Sequence, residues 1–398
     1  MPKLGERFTE FSRIDLDTRG GYARVAQVRT NKDLRYPEHC AFKIMRHEID
    51  PQKGVERFED EIELLSIITS DKNAPSAVTR IYECGFVDPT LSKSLHSRGK
   101  IDNNLEIIPT GRNIEDFRAK KDLLKAGESG GWLPYIVVEL APYDNNMLRQ
   151  ILNQPEEDPA GLFRLPTGEV IILALQLLDV MNYLHENHSR AYIDWKPEHI
   201  FWDGVTNQVK LIDWNVTTRL DDDPGRKQNI KDDLRLFCGA VLYIGLTFID
   251  PDTPTHATHS IGPRPTTDLN SPVPEIRRRY WTDKPVFHQR NATLDDNIKE
   301  LIRKGLDPNA GFDSIQKLRN ALLDYAKTEL GIAEGELTFK VPPVSPYFKS
   351  LIELRTAQKG LLTAQGHLME AVGTHGQSTE FLRLFNAIKR ALKNFPIS

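Results

Sequence analysis

Short apolar runs dominate the start of the chain. Ala23 to Arg29, preceded by a glycine turn, and His39 to Met45 carry β-branched and aromatic residues, which predicts two strands. The period then changes. Phe58, Ile62, Leu65 and Ile68 recur at spacings of four, three and three, so one face of a helix is apolar and Glu61 lies beside it. Residues 77–86 and 134–140 predict two more strands, separated by a polar stretch, about 88–133, that ends in GESGGW and reads as an inserted loop. From Gly168 to His185 apolar residues occur nearly all round, the pattern of a helix buried inside a larger domain. Brief apolar runs at 201–202 and 208–212 flank a turn at Asp203 and Gly204 and predict a small hairpin. Leu234 to Phe248 predicts a second buried helix. Residues 250–290, rich in Pro, Thr and His, predict irregular structure, followed by helices at 294–304 and 314–327. After a linker (331–346) containing VPPVSP, Leu351, Leu354, Leu361 and Leu368 mark one helix and Phe381, Phe385, Ile388 and Leu392 another. Together they predict a C-terminal helical hairpin over 347–398.

Composition narrows the class. With 398 residues the chain can build two domains and an appendage without a disulfide staple. Cys40, Cys84 and Cys238 lack CxxC spacing and sit in apolar stretches, which predicts reduced, buried thiols and suits a reducing cytoplasm. A net charge of -4 provides no broad basic field, so nucleic acid is not an expected partner. No apolar run suggests a membrane span, and MPKLGERFTEF lacks the pattern of a secretory signal, so a soluble protein without a membrane partner is expected. His256 and His259 have ligand-like spacing, but their Pro-rich surroundings offer no third ligand.

Several segments carry chemistry. Thr18, Gly20 and Ala23 in TRGGYARV have the spacing of a glycine-rich strand-turn-strand, where small side chains let backbone amides reach phosphate oxygens. Lys43 interrupts the apolar strand CAFKIM. Its desolvation is costly unless it meets an anion such as phosphate or the Glu61 carboxylate; a snorkelling surface lysine is the alternative. The segment YIDWKPEHIFWD follows, and soon after it KLIDWN.

With those motifs in this order, the chain resembles the eukaryotic-like (Hanks-type) serine/threonine protein kinases. Their catalytic loop HRDLKPEN is matched by YIDWKPEH, their DFG by DWN, their VAIK by CAFK, their helix glutamate by Glu61 and their hinge by IVVELAP, over about residues 10–330. The resemblance implies an α+β, two-lobed fold: a small β-rich N-lobe over 10–140 and a mainly helical C-lobe over 141–330. It implies ATP and magnesium or manganese as cofactors. Asp194 would orient the acceptor hydroxyl and take its proton, and Lys196 would stabilise the transferring phosphoryl group. Asp213 would hold the metal, while Glu139, Leu140 and Ala141 would read the adenine edge behind Val138.

The departures bear on activity. His199 replaces the asparagine that holds a second metal, and imidazole either serves as a poorer ligand or hydrogen-bonds the loop instead. Tyr192 and Ile193 replace the loop's histidine and arginine, so activity is expected not to require phosphorylation of Thr217 or Thr218. Asn215 replaces the glycine of DFG, and a left-handed backbone is expected there. The segment 213–233 has no APE match and is short for a peptide-docking platform, and Asp233 is one residue out of register with the family's anchoring aspartate. An active kinase with an unknown protein or small-molecule acceptor is expected. The alternative is a nucleotide-binding pseudokinase scaffold that engages a protein partner through its C-terminal helices.

Overall fold

The computed structural model describes residues 1–13, 22–97, 99–124, 131–141, 146–147, 165, 167–203, 208–220, 225–246 and 294–331. Two compact units result, Met1–Tyr143 with Lys210–Thr217, and Asp144–Val209 with Thr218–Ser398. The expected irregular region at 250–290, which includes His256 and His259, lies outside the described residues. So do residues 332–398 with the expected helical hairpin, and Thr18 and Gly20 of the glycine-rich turn.

The first unit is built on a six-stranded antiparallel sheet. In chain order its strands are β1 (Phe8–Arg13), β2 (Ala23–Thr30), β3 (His39–Met45), β4 (Ile81–Val87), β5 (Ile107–Gly111) and β6 (Leu133–Glu139); in space they run β1-β2-β3-β6-β4-β5. Helix α1 (Leu4–Arg7) leads into β1. Helix α2 (Pro51–Ser70) starts at an Asp50 cap that accepts the Lys53 N–H, with proline at its first position. The face read from the spacing is the buried one: Phe58, Ile62, Leu65 and Ile68 are all at most 2% exposed. Where β4 meets β5 the backbones crowd, and a Cβ on Gly85 would stand 2.2 Å from the Ile108 carbonyl oxygen, so only glycine fits.

The described part of the stretch expected to be a loop forms regular elements instead. It contributes α3 (Thr90–Ser97), edge strand β5 and α4 (Ile114–Leu123). Its polar composition hid this, because α4 buries Phe117 and little else. Within the sheet, Glu83 of β4 is fully buried and held by Arg7, by the Tyr36 hydroxyl at 3.0 Å and by the Tyr135 hydroxyl at 2.5 Å. A carboxylate at that depth needs such partners.

In the second unit, α5 (Thr167–His188) is the central element, buried on nearly every side. By length and composition alone it could cross a membrane, but 83% of its most apolar window is buried within the protein. Strands β7 (Arg190–Tyr192) and β8 (Ile200–Asp203) flank a loop with a 3-10 turn at Pro197–His199; next along the chain come β9 (Gln208–Leu211) and β10 (Thr217–Arg219), of which Lys210–Leu211 and Thr217 belong to the first unit. Helix α6 (Gly225–Phe237) runs into a π-helical stretch at Cys238–Tyr243 and a last turn at Ile244–Leu246. Helices α7 (Asp296–Leu306) and α8 (Ile315–Glu329) complete the unit. A Cβ on Gly305 would meet Cys238 Sγ at 2.6 Å, so this glycine lets α7 approach the π stretch. Arg319 of α8 reaches Asp179 of α5 at 2.7 Å. All three cysteines are buried and none is in a disulfide.

Candidate active site

Strand β3 delivers Lys43 into the first unit, where one face of α2 supplies Glu61. The ammonium lies 2.7 Å from Glu61 Oε2, 3.0 Å from Oε1 and 2.6 Å from Asp213 Oδ1. The Lys43 and Glu61 side chains are 9% and 3% exposed, and that of Asp213 26%. Burial works against the Lys43 charge, but Asp213 and Glu61 outweigh it and hold the ammonium above its ordinary range. A snorkelling surface lysine is therefore not what the strand presents. Burial pushes the Glu61 carboxyl above its ordinary range despite the Lys43 ammonium beside it.

Asp213 adopts a left-handed backbone, φ +65°. The expectation placed that conformation at Asn215, which does not have it; aspartate tolerates it almost as well, through local hydrogen bonding of its short side chain. The turn is held from α2: the Trp214 N–H reaches Glu61 Oε1 at 3.3 Å and Arg57 donates to the Asn215 carbonyl at 3.0 Å. The Trp214 indole is buried and donates to Thr79 Oγ1 at 3.0 Å. Neither Arg57 nor Trp214 was singled out from the sequence; the available signal was that Arg57 precedes Glu61 by one helical turn.

At the end of β6, Glu139 spends its N–H on the Arg80 carbonyl at 2.8 Å and its carboxylate on Lys210 at 2.8 Å. Ala141 follows, buried, and Ala23 opens β2 opposite Met45.

The second unit holds the loop after β7. Asp194 Oδ2 accepts from Lys196 Nζ at 3.0 Å and lies 3.4 Å from His199 Nδ1, and the same nitrogen is 3.1 Å from the Tyr192 hydroxyl. His199 thus makes hydrogen-bonding contacts within the loop. Tyr192 is fully buried and meets Trp195 edge-on at 4.8 Å. Beneath them Asp233 of α6, also fully buried, accepts from the Trp195 indole at 2.6 Å and pairs with His185 Nε2 at 2.7 Å. Asp233 is thus an anchor of the loop despite its shifted register, and it works through a tryptophan side chain that the sequence reading passed over.

The β-rich unit, the helical unit and the order of these residues are those of a protein-kinase-like fold of α+β class. Among curated proteins it is similar to a protein of Mycoplasma pneumoniae named "Putative serine/threonine-protein kinase", 24% identical over 213 residues. That match covers 52% of this chain and 49% of the relative, so the chain spans about half the length of the curated relative it matches. Among solved structures, similarity extends to the autoinhibited serine kinase domain of the giant muscle protein titin, at 11% identity and a TM-score of 0.46 over 87% of both chains. It extends also to the Cydia pomonella granulovirus kinase PK-1, at 12% identity and a TM-score of 0.43 over 78% of this chain and 92% of that one. No family model matches the chain.

Proposed function

We propose that the chain is an ATP-dependent phosphotransferase of the serine/threonine kinase type, transferring the terminal phosphoryl group of ATP to a hydroxyl. The observation that carries this reading is Lys43, buried and charged between Glu61 and Asp213. A lysine costs several kcal/mol to bury unless its charge is used, and an ammonium fixed by a helix glutamate is a ready point of attachment for phosphate oxygens.

The residues present suit ATP with a divalent metal. Asp213 offers hard carboxylate oxygen on a partly exposed side chain, which suits magnesium or manganese. Bound ATP and its metal would supply the phosphoryl group and the counter-charge. The chain's part is to hold and orient. Lys43 grips the phosphates, the Glu139 carbonyl and the Ala141 backbone seat the base, and Asp194 orients the acceptor hydroxyl and takes its proton. Lys196, already beside Asp194, shields the charge that develops there. Protein and small-molecule acceptors both fit the short segment after Asp213.

A second reading, a nucleotide-binding scaffold without turnover, is favoured by one observation: a histidine occupies position 199 and its Nδ1 faces Tyr192 and Asp194. The two are separated by incubating the protein with labelled ATP, magnesium or manganese and generic protein and metabolite acceptors, beside Asp194→Asn and Asp213→Ala. The kinase reading expects label from the parent alone. Equal signals from all three would reject catalysis, and calorimetry without heat from nucleotide in either metal would reject both readings.

A further inference from the structure

The ordered insertion grips helix α2. Arg118 Nε and Lys121 Nζ of α4 each lie 2.6 Å from a different oxygen of Glu59, and Arg118 also comes within 3.7 Å of Glu63. Burial would raise the Glu59 carboxyl, but hydrogen bonds from Lys121 and Arg118 outweigh it and hold it below the usual glutamate range. The other side of α4 is fastened to the sheet: Phe117 is fully buried and stacks on Phe86 of β4 with centroids 4.6 Å apart. Strand β5, three residues upstream of α4, pairs with β4.

Glu59 and Glu63 alternate along α2 with Arg57 and Glu61, the residues that hold the Asn215 carbonyl, Lys43 and the Trp214 N–H. A helix is stiff over two turns, so fixing one face sets the position of the other. We propose that β5 and α4 form an internal bracket that keeps α2 seated, with Arg118 and Lys121 as positioning residues that act through α2 on Glu61. On this view the arrangement of Lys43, Glu61 and Asp213 needs no separate activating partner. Its consequence for nucleotide rests on the phosphotransferase reading above, but the bracket itself does not.

The test compares the full chain with Arg118→Ala/Lys121→Ala, with the conservative exchange Arg118→Lys/Lys121→Arg, and with Lys120→Ala, which removes an exposed charge of the same sign from the same helix. Amide hydrogen exchange should accelerate about tenfold in α2 and at 213–215 in the double alanine variant, while β2 and β3 keep parent rates. The conservative exchange should restore most of the protection and Lys120→Ala should change nothing. Unchanged exchange at 213–215, or equal acceleration through the sheet, overturns the bracket. In parallel the double alanine variant should raise the KM for ATP about tenfold with a smaller change in kcat. If the parent neither binds nor turns over ATP, the functional reading fails, and the exchange data still decide the bracket.

Discussion

Arg57 donates its 3.0 Å hydrogen bond to the Asn215 carbonyl from a position one helical turn ahead of Glu61, which accepts the neighbouring Trp214 N–H. Helix α2 therefore holds the backbone on the C-terminal side of Asp213, whose left-handed conformation costs a non-glycine residue about 1–2 kcal/mol. The guanidinium also stands over the Tyr22 ring, 5.6 Å from its centroid.

Arg57→Ala removes a charge-assisted bond worth about 1.5–3 kcal/mol and should weaken binding of ATP with magnesium at least about tenfold, read by titration calorimetry. Arg57→Lys should fall between. Parent affinity in the alanine variant would show that the turn at Asp213 keeps its shape unaided.

Lys43→Met should do more harm to the fold than an ordinary surface change, since it strands Glu61 at 3% side-chain exposure beside a second carboxylate. A loss of about 3–5 kcal/mol is expected in urea unfolding. Adding Glu61→Leu should recover much of it, because the buried charge leaves with its partner. Equal stability of parent and Lys43→Met would mean that Glu61 carries no stranded charge there, being either protonated or hydrated.

Asp233→Ala withdraws the acceptor shared by Trp195 and His185. Each buried donor left without it costs about 1–3 kcal/mol, so the melting temperature should fall by several degrees and tryptophan emission should change. Asp233→Asn keeps one acceptor and should lose about half as much. A melting temperature unchanged in the alanine variant would remove Asp233 as the anchor.

Alkali should destabilise the protein. Burial pushes the Cys40 and Cys84 thiols up to about 12, whereas an unfolded thiol ionises near about 8.5. The folded pKa is the higher one, so the contribution is complete below about 8.5 and is lost as pH rises toward 12. Tyr36 and Tyr82, also raised to about 12 by burial, add the same sign above about 10. Melting temperatures measured from pH 7 to 11 should be level at first and then decline; a level profile to pH 11 contradicts the burial argument.

What could be read from residues alone followed their periodicity. Phe58, Ile62, Leu65 and Ile68 mark the inner face of α2 because a helix packed on a sheet needs an apolar stripe, and His39–Met45 forms a strand at the length its apolar run has. Lys43 was conspicuous because a charge inside such a run demands a partner. Helix α4 stayed hidden because its contribution is ionic and it inserts Phe117 alone into the core. The left-handed residue was placed at Asn215 by side-chain tolerance, whereas hydrogen bonds from α2, which come from distant sequence, set it at Asp213. For Asp233, position within a motif was a poor guide, since a tryptophan side chain supplies reach that backbone register does not.

Glu83 reaches a positive charge through Arg7, which precedes every segment that resembles a kinase motif. A recombinant version trimmed to begin at the glycine-rich turn would leave an anion in mid-sheet stripped of that counter-ion, and would be expected to precipitate when overproduced. A truncation that spares Arg7 must also spare Leu4, which is itself buried.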